Sequence, residues 1–149
     1  MPATTAFLES WINTWLSDSP DYFTFSIKVN RYITDYTRLR GEKALQLWYK
    51  FTKTLERINH KIDFWLFKMP PSFKYTSENL QTMNEFFDDT KLEIKAVIEF
   101  RHPSWWKVIC KIENMGIVFC SADAPKLPRS RIVSNRTVYL RIHGYKEWY

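Results

Sequence analysis

The sequence predicts an α/β fold in which strands alternate with helices around a mainly parallel sheet. Three observations carry that prediction. Apolar residues recur at spacings of three and four in helix-length windows, short apolar or alternating runs separate those windows, and turn-forming residues mark the joints. The 149 residues leave room for one domain with a substantial core. An apolar share of 45% and a charged share of 26% are globular composition.

Phe7, Leu8, Trp11, Ile12, Trp15 and Leu16 share one stripe of a helix from Thr5 to Leu16, which Ser17-Asp18-Ser19-Pro20 ends. Tyr22 to Val29 alternates as a strand. Ala44, Leu47, Trp48, Phe51, Leu55 and Ile58 trace a second helix. The run from Phe64 to Met69 is a strand that Pro70-Pro71 must close. A third helix carries Leu80, Met83, Phe86 and Phe87, and Ala96 to Arg101 follows as a strand. Pro103 then opens a helix with Trp105, Val108, Ile109 and Ile112, ended by Gly116. Ile117 to Ala122 and Thr137 to His143 complete five strands. The connection from Ala124 to Arg136 lacks a helical pattern but is long enough for a parallel crossover of about a dozen residues.

Composition excludes several classes. Three glycines rule out collagen-like and multi-glycine phosphate-loop readings. Cys110 and Cys120 are too few and too widely spaced for a zinc knuckle or a Cys-x-x-Cys pair. They read as small buried apolar groups, with a disulfide between them left open. No apolar run approaches the roughly 20 residues that span a bilayer. The first residues lack a basic region followed by an apolar stretch. The expected setting is the cytoplasm, away from membranes. A net charge of +6 favours anionic partners.

Strand alternation then sorts the polar groups. Phe23, Phe25, Ile27 and Val29 oppose Thr24, Ser26, Lys28 and Asn30. Ile98 and Phe100 oppose Glu99 and Arg101, while Val138, Leu140 and Ile142 oppose Tyr139, Arg141 and His143. Ser121 and Asp123 share a side of their strand. The apolar faces are expected to meet the helices. The polar faces are expected to line a barrel interior or cleft, with charge gathered at the C-terminal strand ends where parallel α/β proteins bind ligands. Isolated buried charges are costly, so such a set is either a closed salt-bridge network or a site completed by a ligand.

Four motifs now carry a resemblance. Phe100-Arg101-His102-Pro103-Ser104-Trp105 preceded by Glu99, Met69-Pro70-Pro71-Ser72-Phe73, Arg31-Tyr32-Ile33-Thr34 and Arg141-Ile142-His143-Gly144 resemble the YecE-like family, a domain of unknown function with a TIM-barrel-like fold. The resemblance spans almost the whole chain. It implies that Lys28, Arg31, Glu99, Arg101, His102, Asp123, Arg141 and His143 line a pocket at the barrel mouth. It carries no reaction and leaves any cofactor unknown. Asp35 stands where the family usually has histidine, and Lys68 where it usually has glutamine. A closed barrel has eight strands and usually at least about 200 residues. Residues 1–149 are therefore expected to form a single α/β domain, the central part of such a barrel, lacking the opening strands and the closing region. Open sheet edges predict self-association, partial stability or completion by a companion chain.

Several chemistries compete for these residues. Lys28, Arg31, Arg101 and Arg141, with Asn30, Tyr139 and Asp123 beside them, point to a phosphate or carboxylate ligand, because guanidinium presents a planar fork to such groups. In that reading Glu99 orients Arg101, and His102 or His143 moves a proton. The bland alternative for His102 is capping of the helix that Pro103 opens. A metal-dependent, phosphodiesterase-like alternative uses Glu99, His102, Asp123 and His143, against which the neighbouring cations speak. A nucleic-acid alternative uses Lys126, Arg129, Arg131 and Arg136, with Trp105, Trp106 or Trp148 as stacking surfaces; a solvated loop is the plainer account. The remaining alternative is a catalytically inert interaction module or half of a split barrel. His60, at a polar helix end, reads as a surface residue, and no serine has a glycine-flanked elbow.

Overall fold

The structure, a computed structural model, describes the backbone of residues 3–92 and 95–144, and the side chains of residues 9–92 and 95–144. Phe7, Leu8 and Trp148 therefore lie outside the described side chains. Helix α1 (Ala3–Asp18) leads into β1 (Phe25–Lys28), then α2 (Gly41–Thr54), β2 (Ile62–Lys68), α3 (Ser77–Thr90) and β3 (Ala96–Glu99). The chain continues through α4 (Ile109–Glu113), β4 (Val118–Asp123) and β5 (Tyr139–Ile142). All four strand pairings are parallel, in the order β1-β2-β3-β4-β5. The architecture is an α/β partial barrel.

The helices form where the apolar spacing places them. Thr76 caps α3 by accepting from Asn79 N at 3.0 Å, which satisfies a first-turn donor. Trp48 of α2 is the hinge of the outer layer. Its ring lies 5.2 Å from Trp65 and 5.5 Å from Phe67 of β2, and 6.2 Å from Phe86 of α3. Offset and edge-to-face aromatic packing of this kind adds to simple burial. Ala44, Met83, Phe86, Ile98, Phe119 and Ile112 complete the same core.

Two predicted helices are shorter than expected. The second ends at Thr54, and Glu56–Lys61 continues as a tighter 3-10 turn. The residues after Pro103 also begin as a 3-10 turn, Pro103–Val108, before α4. Eclipsed side chains three apart still bury Ile58 and Trp105 in these turns. Gly116, with φ +73°, closes α4 by donating to Glu113 O at 2.9 Å.

The inner face is layered. Leu66, Val97, Val118 and Cys120 form a small apolar layer with Phe64 and Tyr139 against it. The sheet curls until Ser26 of β1 and Tyr139 of β5 meet across the interior at 2.5 Å. Above that layer, toward the C-terminal ends, the inward positions become Lys28, Lys68, Glu99, Arg101 and Arg141.

Two expectations about faces are corrected. Asp123 and Ser121 do not join the polar inner set. β4 pairs Phe119 with Ile98 and Asp123 with Ile142, which puts Phe119, Ser121 and Asp123 on the outer face. There Ser121 Oγ accepts from Ile132 N at 2.9 Å, so the 124–136 connection covers the C-terminal part of the strand. The apolar face of β5 also fails to meet a helix among the described residues. Val138, Leu140 and Ile142 are 46%, 53% and 74% exposed.

Candidate functional site

The site grows from Glu99, the last residue of β3. Its side chain is fully buried. Parallel pairing sets it beside Lys68 on β2, and the sheet brings β5 close enough for Arg141 Nη1 to donate to its Oε2. Glu99 Oε1 lies 3.4 Å from His143 Nε2 and 3.9 Å from Arg101 Nε. A carboxylate stripped of water needs cations or donors around it, and these three side chains surround it from two strands. Four of the predicted residues thus form one cluster.

Arg101 belongs to a second group as well. It lines a cavity of about 370 Å³ together with Lys28, Arg31 and Lys68. Thr34, Asp35 and Tyr36 complete the wall. Four basic side chains face one carboxylate there. Burial holds the Lys68 ammonium below the ordinary lysine range. Arg101, Lys28 and Arg141 push the same way against the pull of Glu99. Burial lowers Arg101 too, with Glu99 opposing it. The cavity is electropositive at the C-terminal ends of β1, β2 and β3.

The wall at Tyr32–Tyr36 is a π-type turn, which no short apolar period announces. Ile33 and Leu39 anchor it in the core, and Leu39 N donates to Ile33 O at 3.0 Å. Arg38 and Leu39 both take positive φ, 52° and 64°, a conformation uncommon outside glycine. The packed Leu39 holds that local strain in place. On the rim, Arg31 donates to Tyr36 Oη at 2.5 Å and lies over its ring, while Tyr32 stacks on Tyr36 at 5.0 Å. The hydrogen bond raises the Arg31 pKa above its ordinary value.

Other predicted residues have structural duties. Asn30 Oδ1 accepts from Tyr32 N at 2.9 Å and starts the turn. His102 Nδ1 accepts from Ser104 N at 3.2 Å and lies 2.8 Å from Ser104 Oγ, the capping arrangement. Tyr139 is committed to Ser26. Asp123 lines a different concavity, on the outer face with Arg129, Arg131, Leu140 and Ile142. The metal-ligand set Glu99, His102, Asp123 and His143 is therefore not assembled, and no three such groups converge among the described residues. Trp105 is fully buried, stacked 4.1 Å from Phe100, with Nε1 donating to Phe73 O at 2.7 Å, so it presents no surface to bases. Burial, with Glu99 adding to it, raises the Cys120 thiol far above its ordinary range, and both cysteines are free. Of the further wall residues, Thr34 lies in the Arg-Tyr-Ile-Thr motif, whereas Tyr36 carries no signal of its own in the sequence.

Fold and site together define the class: a parallel α/β partial barrel with a buried carboxylate hub and a basic cavity at its strand ends. Residues 6–149 match the family described as "Protein of unknown function DUF72", and the chain belongs to that family. It is similar to a DUF72 family protein from Thermotoga maritima MSB8, with 26% identity and a TM-score of 0.81 over 94% of this chain and 56% of that one. Two structures of a DUF72 family protein from Enterococcus faecalis V583 share the fold. Their identities are 20% and 21%, with TM-scores of 0.70 and 0.69; the matches cover 92% and 91% of this chain, and 55% and 60% of those. The chain thus spans little more than half the length of these relatives. No curated protein matches it. No helix among the described residues is long and apolar enough to cross a membrane.

Proposed function

We propose that this chain binds a small phosphorylated or carboxylated ligand in the cavity between β1, β2 and β3. The observation that carries the reading is the convergence of Lys28, Arg31, Lys68 and Arg101 on one concavity containing a single carboxylate, Asp35. Like charges held together in a half-buried space are unfavourable alone and become favourable around an anion. Guanidinium forks add direction to that attraction. In this reading Glu99 fixes Arg101 and Arg141, and His143 is the acid–base group nearest to it.

Thermal unfolding in inorganic phosphate tests the reading. A ligand that binds only the folded state stabilises it by about 2.7 kcal/mol at one hundred times its Kd. The melting temperature should rise with phosphate beyond the effect of sodium chloride at matched ionic strength, and Arg101→Gln should remove the excess. Equal responses to the two salts would refute the pocket.

A second reading is favoured by β1 and β5 as the sheet edges and by the uncovered Val138, Leu140 and Ile142. In it, a companion polypeptide or a second copy covers β5 and completes the barrel. Light scattering should then show association that Ile142→Asp abolishes. A monomer with cooperative unfolding would remove it.

A further inference from the structure

A lysine amine turned toward the protein is normally secured by acceptors, as Lys61 and Lys95 are. Lys61 Nζ donates to Pro20 O at 2.7 Å, Ser19 Oγ at 3.1 Å and Ser19 O at 3.2 Å. Lys95 Nζ donates to Ile62 O at 3.0 Å. Lys68 differs. It is half-buried at the C-terminal end of β2, and among the described residues its amine makes no hydrogen bond or ion pair. Its surroundings are Lys28 on β1, Arg31 and Asp35 on the turn after β1, Glu99 and Arg101 at the end of β3, and Arg141 on β5. Glu99 is already engaged by Arg141.

We propose that Lys68 is an amine nucleophile that forms an imine with an aldehyde or ketone carrying a carboxylate or phosphate group. The ligand class rests on the anion-pocket reading above. An amine becomes nucleophilic when it is partly desolvated beside other cations, since both disfavour its protonated form. The lowered basicity of Lys68 agrees with that geometry. In the reaction the neutral amine attacks the carbonyl carbon, forming the C–N bond of a carbinolamine. Loss of hydroxyl as water then gives the protonated imine. The ammonium proton released at the outset is returned to the departing hydroxyl, so ammonium plus carbonyl becomes iminium plus water with charge conserved. Asp35, the acidic residue lining the cavity, is the group to carry that proton. Lys28 and Arg101 hold the anionic end of the ligand.

Reductive trapping of the unmodified protein provides the test. The chain is incubated with pyruvate, or with acetone as a neutral probe, in the presence of cyanoborohydride, and the labelled lysines are mapped by peptide mass. Pyruvate should label Lys68 at least tenfold faster than the exposed Lys50, which lies outside the cavity, at pH 7. The rate at Lys68 should approach its plateau at lower pH than the rates at exposed lysines. Pyruvate and acetone labelling Lys68 equally fast, both ahead of Lys50, would keep the nucleophile and overturn the anionic ligand. Lys68 reacting no faster than exposed lysines with either probe would overturn the proposal, while the phosphate melting experiment reports separately on the pocket. Because wild-type protein is labelled, no variant has to fold; Lys68→Arg, where it folds, should lose the fast site.

Discussion

Replacing Glu99 by Gln keeps the shape of the side chain and deletes its charge, which isolates what the carboxylate does. The native group is fully buried, while the side chains of Arg141 and Arg101 are 29% and 14% exposed and that of His143 is 6% exposed. Breaking a buried pair by removing one partner costs about 3–5 kcal/mol, chiefly from the charge left behind. Here the abandoned guanidiniums retain some contact with water, which places the cost near the lower end, at about 3 kcal/mol. A chain of this length loses about 2–4 °C per kcal/mol, so the melting temperature should fall by about 6–12 °C. Urea unfolding followed by tryptophan fluorescence measures the energy directly. Arg141→Gln should cost less, because Arg101 and His143 remain beside the carboxylate. The double variant should show a coupling of about 1 kcal/mol or more. A Glu99→Gln loss below about 1 kcal/mol, or strict additivity with Arg141→Gln, would show that the hub does not hold these strands together.

Other outcomes follow from the same reasoning. The Lys68 pKa is lowered in the folded state, so the unfolded chain binds the proton more tightly; the penalty is full below the folded-state pKa and fades as pH rises toward the ordinary value of 10.5. Lys68→Gln should therefore be more stable than wild type at pH 7 by urea midpoint, with the gap narrowing by pH 10; a variant less stable at pH 7 contradicts this. Trp105→Phe removes the donor to Phe73 O and leaves that carbonyl unpaired, for about 1–3 kcal/mol, whereas an unchanged urea midpoint would deny the bond its role. Native protein should yield one thiol to Ellman's reagent, Cys110, and two after denaturation; rapid native reaction of Cys120 would contradict its burial.

The polar layer was legible on three strands. In β1, β3 and β5 one face is apolar and the other polar near the C-terminal end, so period two alone assigns Lys28, Glu99, Arg101, Arg141 and His143 to one surface. On β4 that logic fails. Phe119 and Cys120 are both apolar and both buried, so alternation cannot say which side meets the helices. For that reason polarity alone assigns Asp123 to the inner face, whereas the register with Ile142 puts it on the outer one. The π-type turn leaves no mark in the sequence because five residues carry too little periodicity, although its Asp35 and the neighbouring Lys68 are changes of charge against the family pattern. Those two positions prove to line the same cavity.

Hydrophobic period and turn chemistry act over a few residues, so they suffice for the alternation of strands and helices, the five parallel strands and the charged residues that end them. Which face of β4 looks inward, how Arg141 reaches Glu99 from two strands away, and which cations share a cavity emerge on folding alone. Those outcomes depend on strand register and sheet curl. Register is set by contacts between segments far apart in the chain, where local pattern has no voice.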